Sequence, residues 1–263
     1  APTDEPQLRA AIGPDGWLEH PANRYSLTRA GEFVRSAVWA PPPPPETARQ
    51  PAAALLERLQ VPNPGKGSVP ALDHLRASHA DSLLLFDGGE LVAEWHAPGI
   101  DPARPHLLFS IGKSITGVLA GQLIAEGLLA PETEAQALVP ELRATAAGAA
   151  GGRQVLDITG DLEDTETFDG SPSVFTRYRR AVWGEGPETL LDVVADMRPG
   201  PDGHGRAFRY ISPMTDVLGM AIEAVPRRRF VDLLAERLLG PLGLIGPVLT
   251  QVDRQGRARA TGG

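Results

Sequence analysis

The stretch SLLLFDGGELVAEWH, from Ser82 to His96, commits this part of the chain to an antiparallel hairpin. A β-rich run and an alternating strand flank Asp87-Gly88-Gly89, a turn that tolerates positive φ. Around it the apolar spacing is helical. Upstream, PAAALLERLQ and VPALDHLRASH have the three-to-four spacing of short amphipathic helices. Downstream of Ile111, the positions Ile115, Val118, Leu119, Leu123 and Ile124 mark a helix of about four turns. RATAAGAAGG reads as a surface loop and ETLLDVVADM as a further helix. FRYISPMTDVLGMAIEAV runs from a strand or loop into a helix, with Ser212 as N-cap and Pro213 at the first helical position. RRFVDLLAERLLGPLGL adds an amphipathic helix stopped by Gly240-Pro241. A hairpin set among many helices predicts a mixed α+β fold.

A chain of 263 residues can bury a substantial core, as one large or two small domains. APPPPPE, from Ala40 to Glu46, reads as a stiff polyproline II connector, because each ring fixes φ and removes a donor. The organisation expected is an N-terminal part over residues 1–109 that contains this connector at 40–46, a helical domain over 110–225, and a return segment over 226–263. The net charge of −8 argues against a nucleic-acid partner. With no cysteine, disulfides, thiolate metal sites and cysteine nucleophiles are excluded. No apolar run approaches the roughly 18 to 20 residues of a membrane span. APTDEPQLRA lacks the basic start and apolar stretch of a signal peptide. The compartment stays open, with the cytoplasm favoured. None of His20, His74, His79, His96, His106 and His204 falls at a metal-ligand spacing such as H-E-x-x-H, so neither metal nor cofactor is expected.

HLLFSIGKSITG, from His106 to Gly117, contains one of the two lysines and admits two incompatible readings. A phosphate loop, G-x-x-x-x-G-K-[ST], needs glycine where Leu107 stands, and the apolar LLF cannot form that loop. The other reading is a serine nucleophile in S-x-x-K. On a helix Lys113 lies one turn from Ser110, and a serine at the helix N-terminus faces free N–H groups that favour developing negative charge. A neutral lysine there can take the serine proton. The structural alternative is a capping serine beside a surface lysine.

These segments, taken in order, resemble the penicillin-recognising serine hydrolases. Within them they are most similar to the 6-aminohexanoate-dimer (nylon-oligomer) hydrolase type and to class C β-lactamase-like carboxylesterases. NRYSLTRAGEFVRSA, the segment from Asp81 through Gly117, VLDITGDLEDTETF and FRYISPMTDVLGMAIEAV carry the resemblance, which runs with gaps from about Asn23 to Leu244. It implies a β-lactamase/transpeptidase-like α+β fold: an α/β sandwich with an antiparallel sheet flanked by helices, plus a mostly helical domain. It also implies Ser110 as nucleophile, Lys113 as general base and Tyr210 as second proton-transfer group, working through an acyl-enzyme on a small ester or amide.

Three departures refine that expectation. Tyr210-Ile211-Ser212 stands where β-lactamases have Tyr-x-Asn, which favours acyclic esters or amides over antibiotics and puts Ser212 beside the substrate or just behind the site. Relatives that hydrolyse linear amides carry a tyrosine near Asp164, so Asp164 leans the reading toward esters. The K-T-G or H-x-G strand of the family lies beyond the sequence, so a truncated, fragmentary or two-chain site is expected. A binding or scaffold protein without catalysis is the alternative.

Overall fold

The computed structural model describes residues 9, 12–41, 53–65, 67–163, 166, 173–244 and 246–262. Asp164 and residues 42–46 of the proline run lie outside these. The chain has two compact units, one made of Ala1–Pro41 with Pro105–Gly263 and the other of Pro42–Arg104.

Toward its N-terminal end the first unit carries a short helix α1 (Asn23–Ser26) and a strand β1 (Ser36–Trp39). In the second unit, helix α2 (Ala53–Arg58) leads into the ribbon β2 (Gln60–Asn63) and β3 (Gly67–Pro70), then helix α3 (Ala71–Ala77). The ribbon departs from the sequence expectation, because Pro62 and Pro70 cannot donate to a ladder and hide its strand character. The expected hairpin follows as β4 (Ser82–Asp87) and β5 (Glu90–His96). Its register pairs Asp87 with Glu90 and leaves Gly88-Gly89 as a two-residue turn, with φ of +56° and +89°. Two positive φ values give the turn whose twist matches the strands, which is why glycine stands at both positions.

In the first unit the long helix α4 (Ile111–Ala125) ends where Gly127 adopts φ +71°. The Gly127 N–H reaches Ile124 O at 3.0 Å and the Leu128 N–H reaches Leu123 O at 2.9 Å, the paired bonds of a Schellman stop. Short helices α5 (Ala135–Leu138) and α6 (Gly152–Leu156) follow. Between them RATAAGAAGG is a loop with Arg143, Ala144 and Ala149 on the surface, as expected, but its Ala147, Gly148 and Ala150 pack inward. Ala147 and Ala150 are fully buried, and a Cβ on Gly148 would fall 2.0 Å from Leu142 O. The Gly148 and Ala150 carbonyls accept the N–H groups of Gln136 and Ala135, each at 2.9 Å. The small residues here permit close backbone packing rather than loop flexibility.

Helix α7 (Val174–Trp183) is capped by the Ser173 hydroxyl and stops at Gly184, where φ is +72°. Helix α8 (Leu190–Ala195) begins with a capping box between Thr189 and Asp192. Helix α9 (Ser212–Ala224) is buried without interruption from Ser212 to Ile222 and packs against α4, α5, α6 and α8. Such burial on every side makes it the central helix of the unit. Helix α10 (Phe230–Leu234) also packs on α9 and continues through a π-helical turn, Ala235–Leu239, toward Gly240-Pro241. Strand β6 (Val248–Gln251) then returns to pair antiparallel with β1. Among the described residues the strands thus form three two-stranded antiparallel ribbons. Leu119, Leu123, Leu142, Met214, Val217 and Leu233 are fully buried in the core of the first unit. Truncating a leucine in such a core costs about 2 to 5 kcal/mol.

Candidate active site

The turn into α4 presents Ser110. Phe109, just before it, has φ +47°, a left-handed conformation that costs an L residue on the order of 1 kcal/mol. Its ring stacks on Trp17 with centroids 5.9 Å apart, and Leu107 N–H reaches Leu27 O at 2.8 Å, so the turn is held from both sides. Ser110 occupies the N-cap position, yet its side chain makes no capping bond. The hydroxyl instead receives two donors: Lys113 Nζ at 3.0 Å and Tyr210 Oη at 2.6 Å. Lys113 lies one helical turn on, and its ammonium also stands 4.8 Å from the centroid of the Tyr210 ring.

Lys113 Nζ donates further, to Ser212 Oγ at 3.0 Å and to Thr261 O at 3.4 Å. Ser212 is therefore not the capping residue that the sequence suggests. Ile211 holds the N-cap position of α9, and the Ser212 hydroxyl turns to the lysine because a charged donor outcompetes a backbone amide. The Ser212 N–H, left without an intrahelical acceptor, bonds the Glu166 carboxylate.

Tyr210 arrives on a loop wound around Asp161. Asp161 Oδ2 accepts the N–H groups of Asp202 and Gly203, both at 2.6 Å, and a Cβ on Gly200 would lie 2.2 Å from Oδ1. His204 Nδ1 accepts the Asp161 N–H at 2.8 Å, which leaves Nε2 to donate to Ala146 O at 3.0 Å. Burial works against the Asp161 charge, but the Gly203 and Asp202 amides and the Arg209 guanidinium outweigh it, and the carboxyl stays below its usual range.

The floor comes from residues 259–262. Thr116 Oγ1 donates to Ala260 O at 2.6 Å, and Thr261 Oγ1 donates to Ser212 O at 3.0 Å. Asp253 shapes the preceding turn by accepting the N–H groups of Gln255 and Arg257, both at 2.9 Å. Under Thr261, Asp216 is completely buried. Its Oδ1 accepts the Thr261 N–H at 3.0 Å and its Oδ2 accepts Tyr178 Oη–H at 2.6 Å. Burial pushes this carboxyl up to about 6, against the opposing pull of Tyr178, Arg259, the Thr261 amide and Lys113. A cavity of about 90 Å³ beside Ser110 is lined by Trp17, Phe109, Glu166, Phe175, Arg179 and Arg259, among others.

The structure brings together Ser110, Lys113, Tyr210 and Ser212. Asp164 lies outside the described residues. Glu166, Asp216, Thr261 and Gly262 were not singled out from sequence. Asp216 has a signal, the one carboxylate in the mostly apolar, buried run from Ser212 to Ile222. Among the described residues no group of three or more His, Asp or Glu could hold a metal ion, and no helix is long and apolar enough to cross a membrane.

A family model described as Beta-lactamase matches residues 71–263. The chain belongs to the beta-lactamase family. This family member is 31% identical over 256 residues to the 6-aminohexanoate-dimer hydrolase of Paenarthrobacter ureafaciens, covering 95% of the chain and 62% of that relative. It therefore spans about three fifths of the curated relative's length. A solved structure from Bacillus anthracis, described as a candidate 6-aminohexanoate-dimer hydrolase, superposes with a TM-score of 0.85 at 21% identity, over 97% of this chain and 68% of that one. A β-lactamase/D-alanine carboxypeptidase from Pseudomonas syringae gives 0.50 at 18% identity, over 66% of this chain and 48% of its own. These two likenesses establish the β-lactamase-like fold. The family is one of serine hydrolases, and the curated relative is a named hydrolase.

Proposed function

We propose that the chain is a serine hydrolase that cleaves small carboxylic esters or linear amides through an acyl-enzyme on Ser110. The observation that carries this reading is the position of the Ser110 hydroxyl between Lys113 Nζ and Tyr210 Oη. Lys113 in its neutral form accepts the serine proton as Oγ attacks the substrate carbonyl carbon. The Ser110 N–H precedes the hydrogen-bonded body of α4, so it has no intrahelical acceptor and can stabilise the tetrahedral oxyanion. Tyr210, in contact with the same oxygen, delivers a proton to the departing alcohol or amine and recovers one from the water that releases the acyl group. Ser212 and Thr261 O hold the lysine in line throughout.

The relative acts, by its name, on a 6-aminohexanoate dimer, which supports a small amide or ester substrate for this chain. The sequence at Asp164 leans the reading toward esters. The test is covalent labelling with a fluorophosphonate and turnover of p-nitrophenyl acetate against a linear amide. Labelling at Ser110 that is abolished in Ser110→Ala and Lys113→Ala, with slowed turnover in Tyr210→Phe, is the expected result. A folded parent that stays unlabelled sinks the reading, and a Lys113→Ala variant that labels as fast as the parent removes the general-base role.

A further inference from the structure

The buried cluster beneath the nucleophile has no part in the chemistry described above. Asp216 is completely buried, and both carboxylate oxygens are engaged. Through the Thr261 amide it grips a segment whose carbonyl accepts from Lys113, whose hydroxyl donates to Ser212 O, and whose next residue, Gly262, sits against Phe109 O. One carboxylate thus reaches the lysine, the third residue of the Tyr-Ile-Ser motif and the strained turn before Ser110. We infer that Asp216 is a positioning residue that, through Thr261, keeps Lys113 and Ser212 in register with Ser110, and that protonation of its carboxyl group loosens this floor.

The hydrogen-bond accounting gives the reason. Tyr178 Oη donates to Asp216 Oδ2 and already accepts from Arg259 Nε at 3.1 Å. Thr261 N–H points at Oδ1. A proton on Oδ1 sets a donor against the Thr261 N–H, whereas a proton on Oδ2 forces the Tyr178 bond to reverse, with Tyr178 Oη then accepting from both Asp216 and Arg259. If the proton sits on Oδ1, the Thr261 amide is left buried and unpaired, and the segment shifts. The charged or titratable groups that face Asp216 are Tyr178 from α7, Arg259 from the tail and Lys113 from α4. Burial raises the Asp216 carboxyl to about 6, which brings this event within reach of mild acid.

The inference rests on the hydrolase reading for its kinetic consequence but not for its structural one, and two measurements separate them. The first follows the Thr261 and Gly262 backbone amides by NMR between pH 4 and 9. Both should titrate near pH 6 in the parent and stop doing so in Asp216→Asn. The second follows the rate of Ser110 labelling over the same range. Its logarithm should fall more steeply below about pH 6 than above it. Asp216→Asn should lose the steeper region. Tyr178→Phe, which keeps the carboxylate and removes a donor to its charged form, should move the break upward by roughly one pH unit. Rescue of the parental profile by Asp216→Glu would add support. Thr261 amides that do not titrate, or a break unmoved in both variants, overturn the inference. An unreactive Ser110 in a chain whose Thr261 still titrates with Asp216 counts against the hydrolase reading alone.

Discussion

Gly112 and Gly262 meet so closely that a Cβ on Gly112 would lie 2.8 Å from Gly262 Cα. The contact lets residues 259–262 lie flat on the first turn of α4, where Thr261 O can reach Lys113. Both glycines are needed for their missing side chains.

Gly112→Ala should therefore act on two levels. Overpacking against backbone costs about 1 to 3 kcal/mol, seen as a lowered Tm. The displaced tail also withdraws an acceptor from Lys113, so Ser110 labelling should slow. A variant that melts and labels with the parent removes the contact from the account.

Asp161→Ala should free the loop that carries Tyr210. Its carboxylate holds the Asp202 and Gly203 amides and pairs with Arg209 Nε at 2.9 Å. Because the folded group titrates below its unfolded value, this anchorage is present above about pH 4 and is lost as pH falls through the lowered value. Trypsin should cut at Arg206 faster in Asp161→Ala than in the parent at neutral pH. Equal cutting rates would show that the loop is held by other means.

Thr189→Ala removes one half of the capping box on α8 and should cost about 1 kcal/mol. The Thr189 hydroxyl and N–H both donate to Asp192, at 2.7 and 2.8 Å, and hold that carboxyl low. The parent should hold its advantage over the variant above about pH 4 and lose it in stronger acid. Denaturant midpoints at pH 7 and pH 3 measure the difference. A gap that widens in acid contradicts the assignment.

Asp216→Asn should show the opposite dependence. The folded carboxyl titrates near 6, above its unfolded value of about 3.9, so the folded parent binds its proton more tightly than the unfolded chain does. That contribution is complete below about pH 4 and lost as pH rises through 6. Relative to Asp216→Asn, the parent should gain stability on acidification from pH 7 to 4, by on the order of 2 kcal/mol. A relative stability that is flat with pH would place no raised carboxyl at this position.

The residues legible from sequence are those whose partners lie within a turn or a tight hairpin. Gly88-Gly89 announced β4 and β5, and Ser110 with Lys113 announced their shared helix face. Tyr210 was an aromatic ahead of a helix, and only the family order distinguished it from core. Glu166, Asp216 and Thr261 act across the fold, 46 residues from Ser212, 45 from Thr261 and 148 from Lys113 respectively. No local period records such contacts. Strands β1 and β6 escaped for the same reason, each being four residues long and paired with a distant segment. RATAAGAAGG was legible only in part, because small residues serve flexible turns and tight packing alike, and Gly148 against Leu142 O belongs to the second kind.

The separation of Lys113 from Thr261 also orders events during synthesis. At roughly 5 to 20 residues per second, the ribosome adds the 148 residues between them in about 7 to 30 seconds. Throughout that interval a nascent chain displays the serine and its lysine without the floor that aligns them. For the earlier part of that interval, until α9 (Ser212–Ala224) has been made, the helix face of Leu119 and Leu123 is uncovered as well.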